Sequence, residues 1–376
     1  MQFKDVIGQS EVKARLLRLV SEKRIGHAML FSGREGTGML GLAIAFARYL
    51  NCKDPSENDS CTECSSCRKY SKLEHPDLHF VFPVAKKKDG EKDPVSDDHI
   101  SLWRESVLAN PYISLFKWFE CLGVENKQGF ISKSESQNIL RKLSLKSFEA
   151  DYKVMVIWMP EKMNPTAANK LLKILEEPPS KTIFILVSED TSQIIPTILS
   201  RTQQLKIPGI DNDSLAKALR EIHGVADEKH SESLINMAEG NYLRLTETLD
   251  ESEETSYLFT MFVKFMRFCY VPDFVGVSGW IDEIASRGRE RHKHFFQYAL
   301  RVIRGNFILS NDAGDIDMLT KEEKEFSEKF SKFVHRGNIF ALCDEFSKAS
   351  VHIEYNGYSR LVYFDLAIKT ARLLKS

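Results

Sequence analysis

The sequence predicts an α/β fold, a parallel sheet with helices on both faces, followed by a region of helices alone. Three observations carry that expectation. Short apolar runs alternate with stretches of helical spacing over the first two hundred or so residues, and strands that are apolar throughout need cover on both faces. A glycine-rich turn follows the first run and opens a helix. From Asp211 onward apolar residues recur at helical spacing and strand-like runs cease.

Taken in order, residues 11–23 form an amphipathic helix, and AMLFSG (28–33) a strand that enters the turn and then the helix LGLAIAFARYL. The run VMVIW (154–158) is a second strand, followed by a helix from Thr166 to Glu177 that Pro178 and Pro179 stop. TIFILVS (182–188) is a third strand, TSQIIPTILS a short helix, and QQLKI (203–207) a fourth strand. Between the first two strands the charged, Pro- and Gly-punctuated VAKKKDGEKDPVSDDH (84–99) reads as a solvated loop. The aromatic stretch WRESVLANPYISLFKWFECLG after it reads as a helical insertion. The KKK run is exposed charge, with phosphate contact as its alternative. The expected domains are 1–208, with an insertion at 84–129, a small helical module at 209–250, and a helical block at 251–376 whose many aromatics are core.

The 376 residues are 43% apolar, enough for more than one core. Basic and acidic residues, 52 against 53, nearly cancel. No global field therefore draws the chain to nucleic acid or to an anionic membrane. No apolar signal core or membrane-length run occurs, so a cytoplasmic protein is expected.

GREGTGML (33–40) is compared with the phosphate-binding form G-x-x-x-x-G-K-[ST], whose backbone amides hold phosphates, whose Lys neutralises them and whose hydroxyl ligates magnesium. Gly33, Gly36 and Gly38 preserve the turn, but Met39 has no charge and Leu40 no metal ligand. Phosphoryl-transfer sites also need acidic residues where a strand ends. There VMVIW runs into Met159, Pro160 and Glu161, with Trp158 and Met159 at the positions where Asp and Glu would stand. Two losses on one reaction predict no intrinsic ATPase, with nucleotide binding absent or vestigial. The alternative is that the glycines merely make a turn.

Four of seven cysteines crowd together as Cys52-x8-Cys61-x2-Cys64-x2-Cys67. Such spacing brings four thiolates to one ion in a closed structural site, for which Zn2+ is the expected metal. Iron–sulfur ligation shares the pitch but lacks here its Pro-marked fourth cysteine. Cys121, Cys269 and Cys343 are expected in the core.

FKDVIGQ (3–9), RIGHAMLFSG (24–33), the cysteine cluster, HPDL (75–78), NKLLKILEEPP (169–179) and ILSR (198–201) together resemble the AAA+ clamp-loader subunits of bacterial DNA polymerase III. Order and spacing agree over about the first 210 residues; beyond them only the helical type agrees. The ATPase subunits of that family keep the loop Lys and the acidic strand end, whereas delta-prime subunits often lack them, so the chain resembles delta-prime. The resemblance implies an AAA+ domain with a zinc module at 52–67, a lid at 209–250 and a collar at 251–376. It implies assembly with gamma/tau and delta subunits to load a sliding clamp on primed DNA. It also makes Arg201 an arginine finger reaching a neighbour's ATP in trans, the alternative being an Arg that satisfies a helix C-terminus. Thr202 stands where the family has Cys. Ser188 lies at a sensor position, though Ser is also an ordinary turn former. Leu243 stands where ATPase subunits have a lid Arg, with Arg244 one residue away, and His75 caps or packs. Two rivals remain: a gamma/tau-type ATPase subunit, and a zinc-dependent DNA-binding module on an AAA+-like fold.

Overall fold

The computed structural model describes residues 1–86, 93–124, 127–144, 148–225, 228–249, 253–271, 273–285, 289–310, 321–355 and 357–375. Lys87 and Lys88 of the basic run, and with them part of the 84–129 insertion, lie outside these residues, as does the 250/251 boundary. The chain divides into two compact units. The first holds Met1–Val124, Gln128–Gly224 and Gly240–Leu243, and the second holds Val225–Glu239 and Arg244–Ser376.

In the first unit, β1 (Ala28–Ser32), β2 (Leu78–Val81), β3 (Lys153–Trp158), β4 (Thr182–Ser188) and β5 (Gln203–Lys206) form one sheet in the order β2-β3-β4-β1-β5 among the described residues. Every pairing is parallel, with Ala28 opposite Phe184 and Leu78 opposite Val154. Successive side chains alternate between two cores, as the period of a strand dictates. Phe31, Val156, Ile185 and Val187 face a cluster that includes α1 (Ser10–Ser21) and α2 (Met39–Leu50). Leu30, Ile157, Phe184 and Leu186 face the opposite cluster. The expected α/β class with both faces covered is what the chain adopts.

α3 (Ser65–Tyr70) belongs to the cysteine segment, and α4 (Ile100–Ala109) and α5 (Leu115–Leu122) form the insertion. They bury Trp103 and Trp118 in the first core. α6 (Lys133–Ser144) and α7 (Pro165–Glu176) cover the other face. Asn164 caps α7, its side chain accepting from Ala167 N at 2.7 Å, and Pro165 fits the first turn, where no N–H is needed.

The helix expected over 191–200 is broken. A 3-10 turn at Thr191–Gln193 is separated from α8 (Pro196–Leu199) by Ile194 and Ile195 in extended backbone, because Pro196 disfavours helical geometry in the residue before it. Cys121 also departs from expectation, for it is exposed while Cys269 is buried. α5 turns Phe116, Trp118, Phe119 and Leu122 inward, which leaves position 121 on its outer face.

α9 (Asn212–Glu221), α10 (Glu228–Ala238) and α11 (Tyr242–Leu249) follow the sheet. The second unit continues with α12 (Glu253–Tyr270), α13 (Phe274–Ala285), α14 (Arg289–Ser310), α15 (Lys321–Phe330), α16 (Ile339–Glu354) and α17 (Ser359–Leu373). Phe265, Trp280, Phe295, Phe346 and Tyr363 pack edge to face or tilted at its centre. A buried Arg301–Glu323 ion pair, to which Tyr298 donates, is its main polar interior feature. Among the described residues no helix is long and apolar enough to cross a membrane.

Candidate functional site

The glycine turn keeps its backbone geometry. Gly36 and Gly38 sit at φ +71° and +87°, which only glycine adopts at low cost. Gly33 N donates to Ser188 O at 3.2 Å, and Thr37 Oγ1 donates to Arg34 O at 2.7 Å. Gln9 Nε2 spans from Thr37 O (3.1 Å) to Pro208 O (2.8 Å), tying the loop to the end of the sheet region. Side chains then crowd it. Asn241 Oδ1 lies 1.7 Å from where a Cβ on Gly36 would stand, and Tyr242 N donates to Gly36 O at 3.0 Å. Tyr112 packs on Gly38 and on the Tyr242 ring, with its hydroxyl accepting from Ile7 N at 2.8 Å. Met39 is 6% exposed and its sulfur lies 3.2 Å from the Cβ position of Gly33. Leu40 is buried as well.

The strand end is filled in the same manner. Trp158, 3% exposed, meets the Trp103 ring at 5.0 Å. Trp103 stacks on Phe82 at 4.3 Å and meets Trp118 edge-on at 5.0 Å, and Trp118 Nε1 donates to Pro83 O at 2.9 Å. The insertion therefore places the Trp103 indole against the position where an acidic ligand would be needed, with Trp118 packed behind it. Met159 is buried with φ 58°, and its N–H is spent on Val187 O. Glu161, the first carboxylate past the strand, holds the following loop: Oε1 accepts from Glu189 N at 2.9 Å and Asp190 N at 3.4 Å. Burial raises its pKa, against those backbone donors. Ser188 is fully buried, and its carbonyl takes the Gly33 bond.

Arg201 is half-exposed. Its Nη2 lies 2.6 Å from Glu176 Oε1 at the end of α7, and Nη1 donates to Thr197 O of α8 at 3.1 Å. It satisfies a helix carbonyl, as the alternative reading expects, and its guanidinium remains partly exposed. Thr202 Oγ1 donates to Leu199 O at 3.1 Å. Leu243 is buried, and Arg244 pairs with Glu239 at 3.2 Å. His75 is buried against Tyr70 and accepts from Asp77 N. Asp77 in turn accepts from Phe148, Glu149 and Ala150 N at 2.7, 2.9 and 3.0 Å. Burial would raise the Asp77 carboxyl, but those donors and His75 hold it below its ordinary value. HPDL is thus an anchor for the chain entering β3.

The four cysteines converge. Their sulfurs all lie within 4.8 Å of one another, with Cys61 and Cys67 4.0 Å apart. Tetrahedral zinc with Zn–S of about 2.3 Å places sulfurs about 3.8 Å apart, so the set fits one ion with little closing movement. Three backbone amides point at sulfurs: Cys61 N at Cys52 (3.2 Å), Cys64 N at Cys61 (3.4 Å) and Cys67 N at Cys64 (3.4 Å). Such donors favour thiolate over thiol. Burial pushes the Cys52 thiol up to about 12, whereas Cys64, despite burial, is brought down to about 6 by the Lys53 and Cys67 amides and the adjoining thiols. Arg48 of α2 is buried, and its Nη1 donates to Met1 O at 3.2 Å.

The structure thus brings Gly33, Gly36, Gly38, Met39, Ser188 and Trp158 to the carboxyl end of the sheet, and the cysteines to a separate cluster. Sequence reasoning missed the groups that fill the first region, Trp103, Tyr112, Asn241 and Tyr242, along with the Arg201 partner Glu176. Only the aromatic density of the insertion signalled any of them.

A family model described as DNA polymerase III, delta subunit, matches residues 8–211, more than half of the chain. The DNA polymerase III subunit delta' of Bacillus subtilis is 28% identical over 200 residues, covering 52% of this chain and 47% of its own length. That of Pseudomonas aeruginosa is 30% identical over 182 residues, covering 48% and 43%. The B. subtilis subunit tau is 26% identical over 255 residues, covering 67% and 38%. Each alignment spans less than half of the relative's length.

Proposed function

The chain belongs to the DNA polymerase III delta-subunit family, and from that premise we propose that it is the non-hydrolysing, delta-prime-type member of a clamp loader. The observation that carries this reading is the filling of the hydrolytic centre. Met39 and Leu40 are buried where a charge and a metal ligand are required, and Trp158 sits in an aromatic cluster where a carboxylate is required. A thioether, an isobutyl group and an indole cannot neutralise a triphosphate or ligate magnesium. The turn persists for its contacts with Gln9, Ser188 and Tyr242. The rival gamma/tau-type ATPase has the tau similarity in its favour and this geometry against it.

Arg201 then acts in trans. Its pair with Glu176 is exposed, and exposed pairs are worth only about 0–1 kcal/mol, so a neighbour's γ-phosphate can displace the carboxylate at small cost. The lid at 209–250 and the collar at 251–376 join this chain to gamma/tau and delta subunits, and the assembly places the sliding clamp on primed DNA. Zinc on Cys52, Cys61, Cys64 and Cys67 is structural: four protein ligands close the coordination shell and leave no position for substrate.

The test is reconstitution with the partner subunits, comparing wild type with R201A for clamp- and DNA-stimulated ATP turnover. Turnover in the variant assembly should fall at least about 100-fold if the finger completes the neighbour's site. Unchanged turnover with intact assembly sinks the finger role. Brisk ATP hydrolysis by the isolated chain sinks the stator reading altogether.

A further inference from the structure

Residues 52–66 contain no Leu, Ile, Val, Met or aromatic side chain, and residues 53–58 are exposed throughout. A segment of that composition has almost no apolar surface to bury, so its fold must come from other bonds, as in small domains built on a structural metal. It nevertheless offers two well-placed residues to the start of the chain. A turn in which Ser56 N donates to Asp59 O at 2.9 Å and Asp59 N to Ser56 Oγ at 3.0 Å leads by way of Ser60 into Cys61, whose own N–H meets the Cys52 sulfur at 3.2 Å. The Asp59 carboxylate accepts from Phe3 N (3.2 Å) and Lys4 N (3.0 Å), and Ser60 O accepts from Nε2 of the buried Gln2 at 2.7 Å.

The same segment continues to the glycine turn. A Val6 methyl lies 3.1 Å from the Cβ position of Gly38, Ile7 N donates to the hydroxyl of Tyr112, which packs on that glycine, and Gln9 Nε2 donates to Thr37 O at 3.1 Å. Residues 2–9 thus form a strap with one end on the cysteine loop and the other on the turn at 33–40. We propose that the cysteine cluster is the anchor of this strap: with metal on the four thiolates Asp59 and Ser60 are fixed, they fix residues 2–4, and Ile7 and Gln9 carry that order to the glycine turn. Metal occupancy then governs the order of a loop that holds no metal, and Asp59 is the positioning residue of the relay. The inference rests on the metal reading of the cysteine cluster.

The experiment uses the full chain, kept reduced and either loaded with Zn2+ or stripped by a chelator. Amide exchange is read at Phe3, Lys4 and Ile7, across residues 36–38, and in β4 as the reference. Stripping should quicken exchange at Phe3, Lys4 and Ile7 at least about tenfold and at 36–38 about threefold, while β4 keeps its protection. In D59A with Zn2+ content confirmed by atomic emission, Phe3 and Lys4 should exchange as fast as in stripped wild type. If D59A fails to fold, D59N, which keeps the size and weakens the acceptor, should quicken the same two amides at least about threefold. Q9A should quicken 36–38 and leave Phe3 and Lys4 slow. A stripped wild type in which Phe3, Lys4 and Ile7 stay slow overturns the proposal and leaves the metal reading standing. So does zinc-loaded D59A with both amides slow, or a stripped chain in which β4 loosens as much as the strap. A wild-type chain that takes up no Zn2+ overturns the metal reading first, and this inference with it.

Discussion

Restoring the lost acidic ligand should unfold the first unit before it restores chemistry. The perturbation is W158D, alone and with M39K and L40T. Trp158 is 3% exposed and packed on Trp103. A buried indole removes on the order of 200 Å2 from water. At about 25 cal/mol per Å2 that is about 5 kcal/mol, little of which an Asp recovers. The new carboxyl between the Trp103 indole and Val187 would stay protonated and so cannot serve as the metal ligand it imitates. A loss of about 5 kcal/mol is comparable with the whole stability of a typical domain. For a unit of this size it lowers the melting temperature by about 10–20 °C. Thermal unfolding followed by near-ultraviolet dichroism, with amide exchange in β3 assigning the change to the first unit, is the assay, and ATP turnover accompanies it. A triple variant that melts within about 3 °C of wild type and hydrolyses ATP would refute the claim that the centre is filled rather than merely unequipped.

Three more outcomes are expected. D77N should cost about 3 kcal/mol through its weakened backbone bonds. Because the folded carboxyl titrates below its ordinary value, its contribution is present above about pH 4 and fades as pH falls through the folded pKa. The difference between wild type and D77N should therefore shrink on acidification, and a difference independent of pH would contradict the assignment. G36A should lower the melting temperature, since a Cβ there meets Asn241 at 1.7 Å with φ +71°, and an unaltered melt would mean the loop is free to move. C64S should reduce bound Zn2+ below one per chain by atomic emission and expose residues 52–67 to protease; full metal content would exclude Cys64 as a ligand.

The legible parts of the sequence were those whose partners are near or whose burial is uniform. β1, β3 and β4 are apolar on both faces and read directly. β2 did not, since it is an edge strand in which His79 breaks the apolar run. α6 escaped because its buried face rests on Glu135, Ser136 and Asn138 as well as Ile139 and Leu143. Glu135 there accepts from Ser96 N, a partner thirty-nine positions away. The cysteine cluster was legible because its four members fall within sixteen residues. The filling of the nucleotide centre was half legible: Met39 and Trp158 announce what is missing, but Asn241 and Tyr242 arrive some two hundred residues later with no local sign of their destination.

The strand order also governs how the chain can fold as it leaves the ribosome. β1 is made first, yet its neighbours are β4 and β5, with Ala28 waiting for Phe184. At about 5–20 residues per second the nascent AMLFS segment goes some 8–30 s without its pairing partners. Throughout that interval its apolar edge is open to chaperones or to other unpaired strands, so yield in the cell should depend on chaperone supply and elongation rate more than on final stability.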